Sequence, residues 1–180
     1  SQGIQWDRYQ IAQCYMALGG VPFYLTLLNR SESLSQNIDR LFFSSENAPL
    51  RMEYSELYSA LFKDPEKYMT IVKALSAKRE GMTRNELIEQ CGFGGSSITK
   101  VLSDLERCDF IFGYSQFGNK TKKTLYRIKD FYTLFYYKFV EKDDGKDNCR
   151  WSHILQSQQV RIWQGFSFEL LCLLHLDQIK

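Results

Sequence analysis

The segment YMALGGVPFYLTLLNR, Tyr15 to Arg30, restricts the fold more than any other stretch of the chain. It is apolar and made of good helix formers, yet Gly19, Gly20 and Pro22 stand in its middle. Inside a helix a glycine costs about 1 kcal/mol and a proline about 3 kcal/mol, so a single continuous helix is excluded. Apolar residues at Trp6, Tyr9, Ile11, Cys14, Tyr15 and Leu18 follow helical spacing. The Gly-Gly pair closes that helix as a left-handed C-cap. Pro22 then opens a second helix at its first turn, where the missing N–H costs nothing. The second helix is expected to run to about Asn29.

The same punctuation divides the rest of the N-terminal part into short helices. SESLSQNIDRLFF begins a third, capped by Ser31 or Ser33. Pro49 opens a fourth, to about Phe62, and Asp64-Pro65-Glu66 opens a fifth through EKYMTIVKALSAKRE. From Gly81 the character changes. Thr83 with Glu86 three residues later is a capping box for RNELIEQCG. A Gly-rich turn, GFGG, follows. The next helix starts at Ser96 or Ser97 and carries Ile98, Val101, Leu102 and Leu105 on one face. DFIFGYSQF and KTLYRIKD alternate like strands around GNKTK, which is hairpin chemistry. Helix, turn, helix and hairpin in that order spell a winged helix-turn-helix. Beyond it, FYTLFYYKFVEK is an aromatic helix and DDGKDNCR a polar break. QQVRIWQGFSFELLCLLHLDQIK is a final helical stretch without a Gly or Pro stop, the expectation being a chain cut from something longer. The expected fold class is mainly α. Residues 1–64 form a helical subdomain, residues 65–130 a winged helix-turn-helix with a small β-hairpin, and residues 131–180 the C-terminal helices that begin a further domain.

Hydrophobic residues make up 44% of the chain, enough for a packed core. The net charge of +2 argues against a polybasic nucleic-acid binder and leaves only local patches. No apolar run approaches the roughly 20 residues of a membrane span, so no membrane association is expected. Ser1 to Arg8 is polar and is not read as a secretory leader, so a prokaryotic cytoplasm is the expected compartment. Five cysteines without a CxxC pair fit reduced thiols rather than a disulfide framework. Cys149 with His153, and Cys172 with His175, have the spacing of a Cys2His2 zinc set. Cys172 lies in FELLCLLHL, however, where a thiol is ordinary core filling, and no metal ligand is assigned.

GYSQFGNKT, Gly113 to Thr121, imitates a phosphate-binding P-loop. Asn119 intrudes before Lys120, and the loop leads into a strand pattern rather than the helix whose N-terminus would face the anion. It is read as the hairpin tip. The candidate DNA- or partner-binding residues are Ser96, Ser97, Lys100 and Arg107 on the second helix, with Lys120, Lys122, Lys123 and Arg127 on the wing. The helix shows little Arg, Asn or Gln for base edges, and Asp104 and Glu106 would repel phosphates. The competing reading is a wing packed against other domains. FYTLFYYKFV could stack single-stranded bases, but Phe131, Leu134, Phe135 and Phe139 share a helical face, which favours core. His153 and His175 are isolated from any nucleophile, and no catalytic residue is assigned. Glu169 is placed on the exposed stripe of an apolar helix. A nuclease-type metal role would need further acids and a lysine, and none follows before Lys180.

YMALGGVPFYL resembles the Y-x3-GG-x-P-x-YL signature in the helical lid of archaeal-type, STAND-related AAA+ ATPases. In that family a winged helix and a restriction-nuclease-like domain follow the lid, and WQGFSFELLCLLHLDQIK resembles the start of the latter. The resemblance implies that residues 1–64 are lid-like. It places Gly19, Gly20 and Pro22 at a turn near nucleotide, with ATP and Mg expected in the full-length protein. It also implies that Glu169 matches the acid of the family's GFxFE segment. The P-loop and the acidic Walker B strand are absent here, so the missing ATPase core is the first expected partner. The function implied is a non-catalytic regulatory portion of an ATPase that couples nucleotide state to a partner or to DNA. Two alternatives stay open: a stand-alone winged-helix DNA-binding regulator and a protein-interaction module.

Overall fold

A computed structural model describes residues 3–115 and 124–179. The chain is mainly helical, with a small three-stranded antiparallel sheet. Helix α1 (Arg8–Leu18) is opened by a capping box between Asp7 and Gln10 and closed by Gly19. Gly19 has φ +66° and ψ −166°, a conformation essentially restricted to glycine. At Gly20 a β-carbon would come within 3.1 Å of the Tyr15 ring. Gly19 is therefore required by its backbone angles, whereas a side chain at Gly20 would need the Tyr15 ring to give way by a few tenths of an ångström. Pro22 starts α2 (Pro22–Thr26), which stops earlier than the sequence pattern suggests. Asn37 explains the early stop. Its buried amide donates to the carbonyls of Asn29, Glu32 and Ser33, and its oxygen accepts from Asn29 N–H and Arg40 Nη2. These bonds hold the following loop in a non-helical path.

Helix α3 (Leu34–Ile38), capped by Ser33, continues into a π-helical turn over Asp39–Phe43. Helices α4 (Pro49–Leu61) and α5 (Pro65–Ala77) each begin with proline in the first turn. Strand β1 (Met82–Thr83), helices α6 (Arg84–Cys91) and α7 (Ser96–Arg107), and strands β2 (Ile111–Ser115) and β3 (Thr124–Ile128) follow. β3 is central, pairing antiparallel with β1 through Met82↔Tyr126 and with β2 through Gly113↔Tyr126. The two-residue β1 has no signal in the sequence pattern. Helix α8 (Phe131–Phe135) runs into a second π turn over Tyr136–Val140. Then come α9 (Arg150–Ile154), α10 (Gln158–Leu174) and α11 (Leu176–Ile179).

One continuous cluster of buried apolar side chains runs through all three sequence regions. Its centre is aromatic. The Tyr54 and Tyr136 rings stack at 4.0 Å. Phe135 and Phe139 each meet Trp151 and Trp163 near 5 Å, and each of these pairs is edge-to-face. Phe131, Phe135 and Phe139 are buried, so this aromatic run is core. Helix α9 lies within the stretch around the polar break and is held by a distant group. The buried Asp39 carboxylate accepts from the backbone N–H of Trp151 (2.7 Å) and of Ser152 (3.2 Å) and from the Ser152 hydroxyl. Burial pushes the Asp39 carboxyl above its usual range, against the pull of these donors. Arg51 pairs with Asp143 at 2.8 Å and fixes the polar segment itself.

Two glycine replacements separate the requirements. A β-carbon at Gly165, in the interior of α10, would meet nothing within 4 Å. Gly165→Ala is expected to raise stability by about 0.5–1 kcal/mol. Gly19→Ala is expected to lower it by about 1–3 kcal/mol. Urea unfolding of the two variants checks both signs.

Candidate functional site

The Gly19-Gly20-Val21-Pro22 corner forms one wall of a cleft of about 860 Å³. The adjoining wall comes from Lys129 and Asp130, which join β3 to α8, and from Tyr132 of α8. Helix α4 adds Glu53, and the end of α10 adds His175. The charged groups among them are anchored. Asp130 is the N-cap of α8 and accepts the Thr133 N–H at 2.7 Å. Its Oδ1 lies beside Gly19, where a β-carbon would be 3.7 Å away. Burial pushes the Asp130 carboxyl above its usual range, although hydrogen bonds from Thr133 and Tyr132 pull it back. The Tyr24 hydroxyl donates to Glu53 at 3.2 Å, and burial together with the Glu53 charge raises the phenol. Lys129 is paired with Asp109 at 2.9 Å. The walls are otherwise apolar and aromatic. Such a cleft suits a flat or apolar group, or a cation. Glu53 and Asp130 would repel a phosphate.

Phe110 ties this cleft to the sheet. Its carbonyl accepts N–H bonds from both Lys129 (2.8 Å) and Asp130 (3.3 Å). Phe110 immediately precedes β2, and Lys129 immediately follows β3, so both strands meet at the cleft wall.

The helix pair α6–α7 presents a different surface. Arg84 at the start of α6 donates to the Gly95 carbonyl at 2.8 Å and to Thr99 Oγ1 at 3.3 Å, which fixes the head of α7. Ile98, Val101, Leu102 and Leu105 are buried, as their spacing requires. Ser97, Lys100 and Arg107 line a second cleft, of about 510 Å³, opposite Lys63 and Lys67 of the α4–α5 corner. Ser96 is exposed at the start of α7 and is not among the residues lining that cleft. Asp104 and Glu106 have internal partners. Asp104 accepts the Tyr68 hydroxyl at 2.8 Å, and Glu106 accepts the Gly113 N–H at 3.0 Å. Arg127 lines a third surface, between α5 and α10. Lys120, Lys122 and Lys123 lie outside the described residues.

The structure therefore brings Gly19, Gly20 and Pro22 into one cleft, and Ser97, Lys100 and Arg107 into another. Sequence reasoning missed Glu53 and Asp130. Asp130 carried a local signal, as an Asp placed directly before a helical run, whereas Glu53 carried none. Among the described residues no three His, Cys, Asp or Glu side chains form a metal-holding group, and Cys149, His153, Cys172 and His175 are not assembled into one. Glu169 is exposed and pairs with Arg79. No helix among the described residues is long and apolar enough to cross a membrane.

Fold and clefts together define a mainly helical protein whose small antiparallel sheet is joined to a glycine corner. No family model and no solved structure matches the chain. It is 27% identical over 139 residues to an uncharacterized protein of Methanocaldococcus jannaschii. The match takes in 75% of this chain and 30% of that protein, so the chain spans less than a third of that relative's length.

The helix pair also carries a pH signature. Lys78 and the Thr83 backbone and hydroxyl hold the Glu86 carboxyl down at about 2. Glu86→Gln keeps the capping geometry and removes the charge. The variant is expected to be about 0.5–1 kcal/mol less stable at pH 7, the scale of a solvent-screened pair. Because the folded carboxyl is depressed, this difference should be full above about pH 4.3 and close as pH falls through about 2. Unfolding of both proteins across that range checks it.

Proposed function

We propose that the chain is the non-catalytic regulatory part of an ATP-binding ATPase of the AAA+/STAND type. In this reading residues 1–64 are lid-like, and residues 65–130 are a winged helix that reports nucleotide state to a partner or to DNA. ATP and Mg would be held by an ATPase core outside this chain. The observation that supports the reading is the shared wall at the corner. The Gly19-Gly20 turn packs on Asp130, and Asp130 and Lys129 share the Phe110 carbonyl that joins both hairpin strands. A shift at the corner would therefore be felt by β2 and β3. The order α5, β1, α6, α7, β2, β3, with β3 central, is the order of winged helix domains and supports that part of the reading. The carboxylates at the corner would turn it toward the base and sugar of a nucleotide, leaving the phosphates to the core.

On this reading the 180-residue chain alone neither hydrolyses ATP nor binds it at micromolar concentration. Calorimetric saturation with micromolar ATP would sink it. Asp130→Ala tests the coupling directly. Amide exchange should speed up in α8 and also in both hairpin strands, Ile111–Ser115 and Thr124–Ile128, while α6 and α7 keep their protection. A change confined to α8 would remove the coupling.

A second reading, duplex DNA binding, is favoured by Lys63, Lys100 and Arg107 in the α7 cleft, which Asp64, paired with Lys67, and Asp104 also line. A few phosphate contacts there would give a log–log salt slope of about −3. Reversing the charges of Lys100 and Arg107, or of Lys120, Lys122 and Lys123, should abolish most duplex affinity. Unchanged binding in both sets would exclude this surface.

A further inference from the structure

A basic concavity lies away from both clefts, between the C-terminal half of α5, the second π turn and α10. It measures about 790 Å³. Lys73, Lys78, Arg79, Arg127, Lys138 and Lys142 line it, against the single carboxylate of Glu141. Three of these cations are already neutralised: Lys73 by Glu141, Lys78 by Glu86 and Arg79 by Glu169. Arg127, Lys138 and Lys142 have no carboxylate partner among the described residues.

The floor is apolar. Ile162 and Phe166 stand one turn apart on α10, 46% and 43% exposed, with Leu134 beside them. The Arg79 guanidinium lies 3.6 Å from the centre of the Phe166 ring, which holds the ring in place across the groove. An exposed i, i+4 apolar pair flanked by cations is the complement of a helix with two apolar anchors and acidic flanks. A phosphate backbone would satisfy the lysines and leave Ile162 and Phe166 in water, which disfavours a nucleic acid.

We propose that this groove is a docking site for an acidic amphipathic helical segment of a partner protein. Its apolar anchors seat on Ile162 and Phe166, and its carboxylates meet Arg127, Lys138 and Lys142. The groove is formed by α5, β3, the π turn and α10 without the Gly19-Gly20 corner, so the proposal stands apart from the nucleotide-coupling reading.

The test uses a fluorescein-labelled 16-residue helical peptide with Leu at i, i+4 positions and Glu on both flanks. Its counterpart has Gln for Glu, and a 20-base-pair duplex serves as competitor. The acidic peptide should bind with Kd on the order of 10 µM, and the Gln peptide at least tenfold more weakly. Arg127→Glu/Lys138→Glu/Lys142→Glu and Ile162→Ser/Phe166→Ser should each weaken binding at least tenfold. All five positions reach solvent, and thermal midpoints matching the wild type confirm that the variants fold. Absence of saturable peptide binding overturns the proposal. So does loss on charge reversal alone with full competition by duplex, which would mark the groove as a nucleic-acid surface. Tenfold losses in both variants with little competition by duplex support it.

Discussion

The N-terminal helices and the C-terminal helices meet on the aromatic surface of α8 and the π turn that extends it. Phe131 packs edge-on to Tyr15 of α1, and Tyr132 meets Tyr24 of α2. Phe135 meets Phe42 of the first π turn at 4.8 Å. Tyr136 stacks on Tyr54 of α4, and Phe135 and Phe139 close on Trp151 and Trp163. A regular helix offers one apolar stripe. Here Phe131, Tyr132, Thr133 and Phe135 are all buried, and only Leu134 is half-buried, at the edge of the basic groove. The widened turn over Tyr136–Val140 redirects the side chains that follow, which sends Tyr136 and Tyr137 toward α4 and Phe139 toward the two tryptophans. Because one short element touches so many others, its orientation sets theirs.

The start of α8 inherits this rigidity. Asp130 caps it, and burial keeps the carboxyl from ionising as readily as an exposed one. Gly19 lies beside Asp130 in backbone angles closed to other residues, and it is those angles rather than space that require glycine there. The unusual sequence at the corner and the half-buried acid beside it are two halves of one contact.

Much of the fold is legible in the sequence where the determining contact is local. The Thr83–Glu86 box, the prolines at 49 and 65, and the Gly19 turn all act within four residues of themselves. The features that escape a sequence reading depend on partners far along the chain. Helix α9 follows directly on the polar break and has no signal in the sequence pattern, because its first turn is held by Asp39, more than 100 residues earlier. β1 is two residues long and exists only because β3 pairs with it. The early end of α2 rests on one buried asparagine. Of the corner cleft, the glycines and proline announce themselves, whereas Glu53 arrives from another helix. The basic groove is invisible for the same reason: α5, β3 and the second π turn contribute one cation each, Lys73, Arg127 and Lys138, and the segments between elements add Lys78, Arg79 and Lys142.

A formal net charge of +2 conceals a separation of sign across the molecule. Acids gather at the corner and cations in the groove, and the chain crosses from one to the other within four residues. Arg127 and Ile128 line the groove, while Lys129 and Asp130 line the corner cleft. Lys129 and Asp130 are both fastened to the Phe110 carbonyl, so this crossing cannot slide or rotate without disturbing the hairpin. On the proposed readings the two surfaces are neighbours along the chain but take ligands of opposite charge, so occupancy of one does not require occupancy of the other.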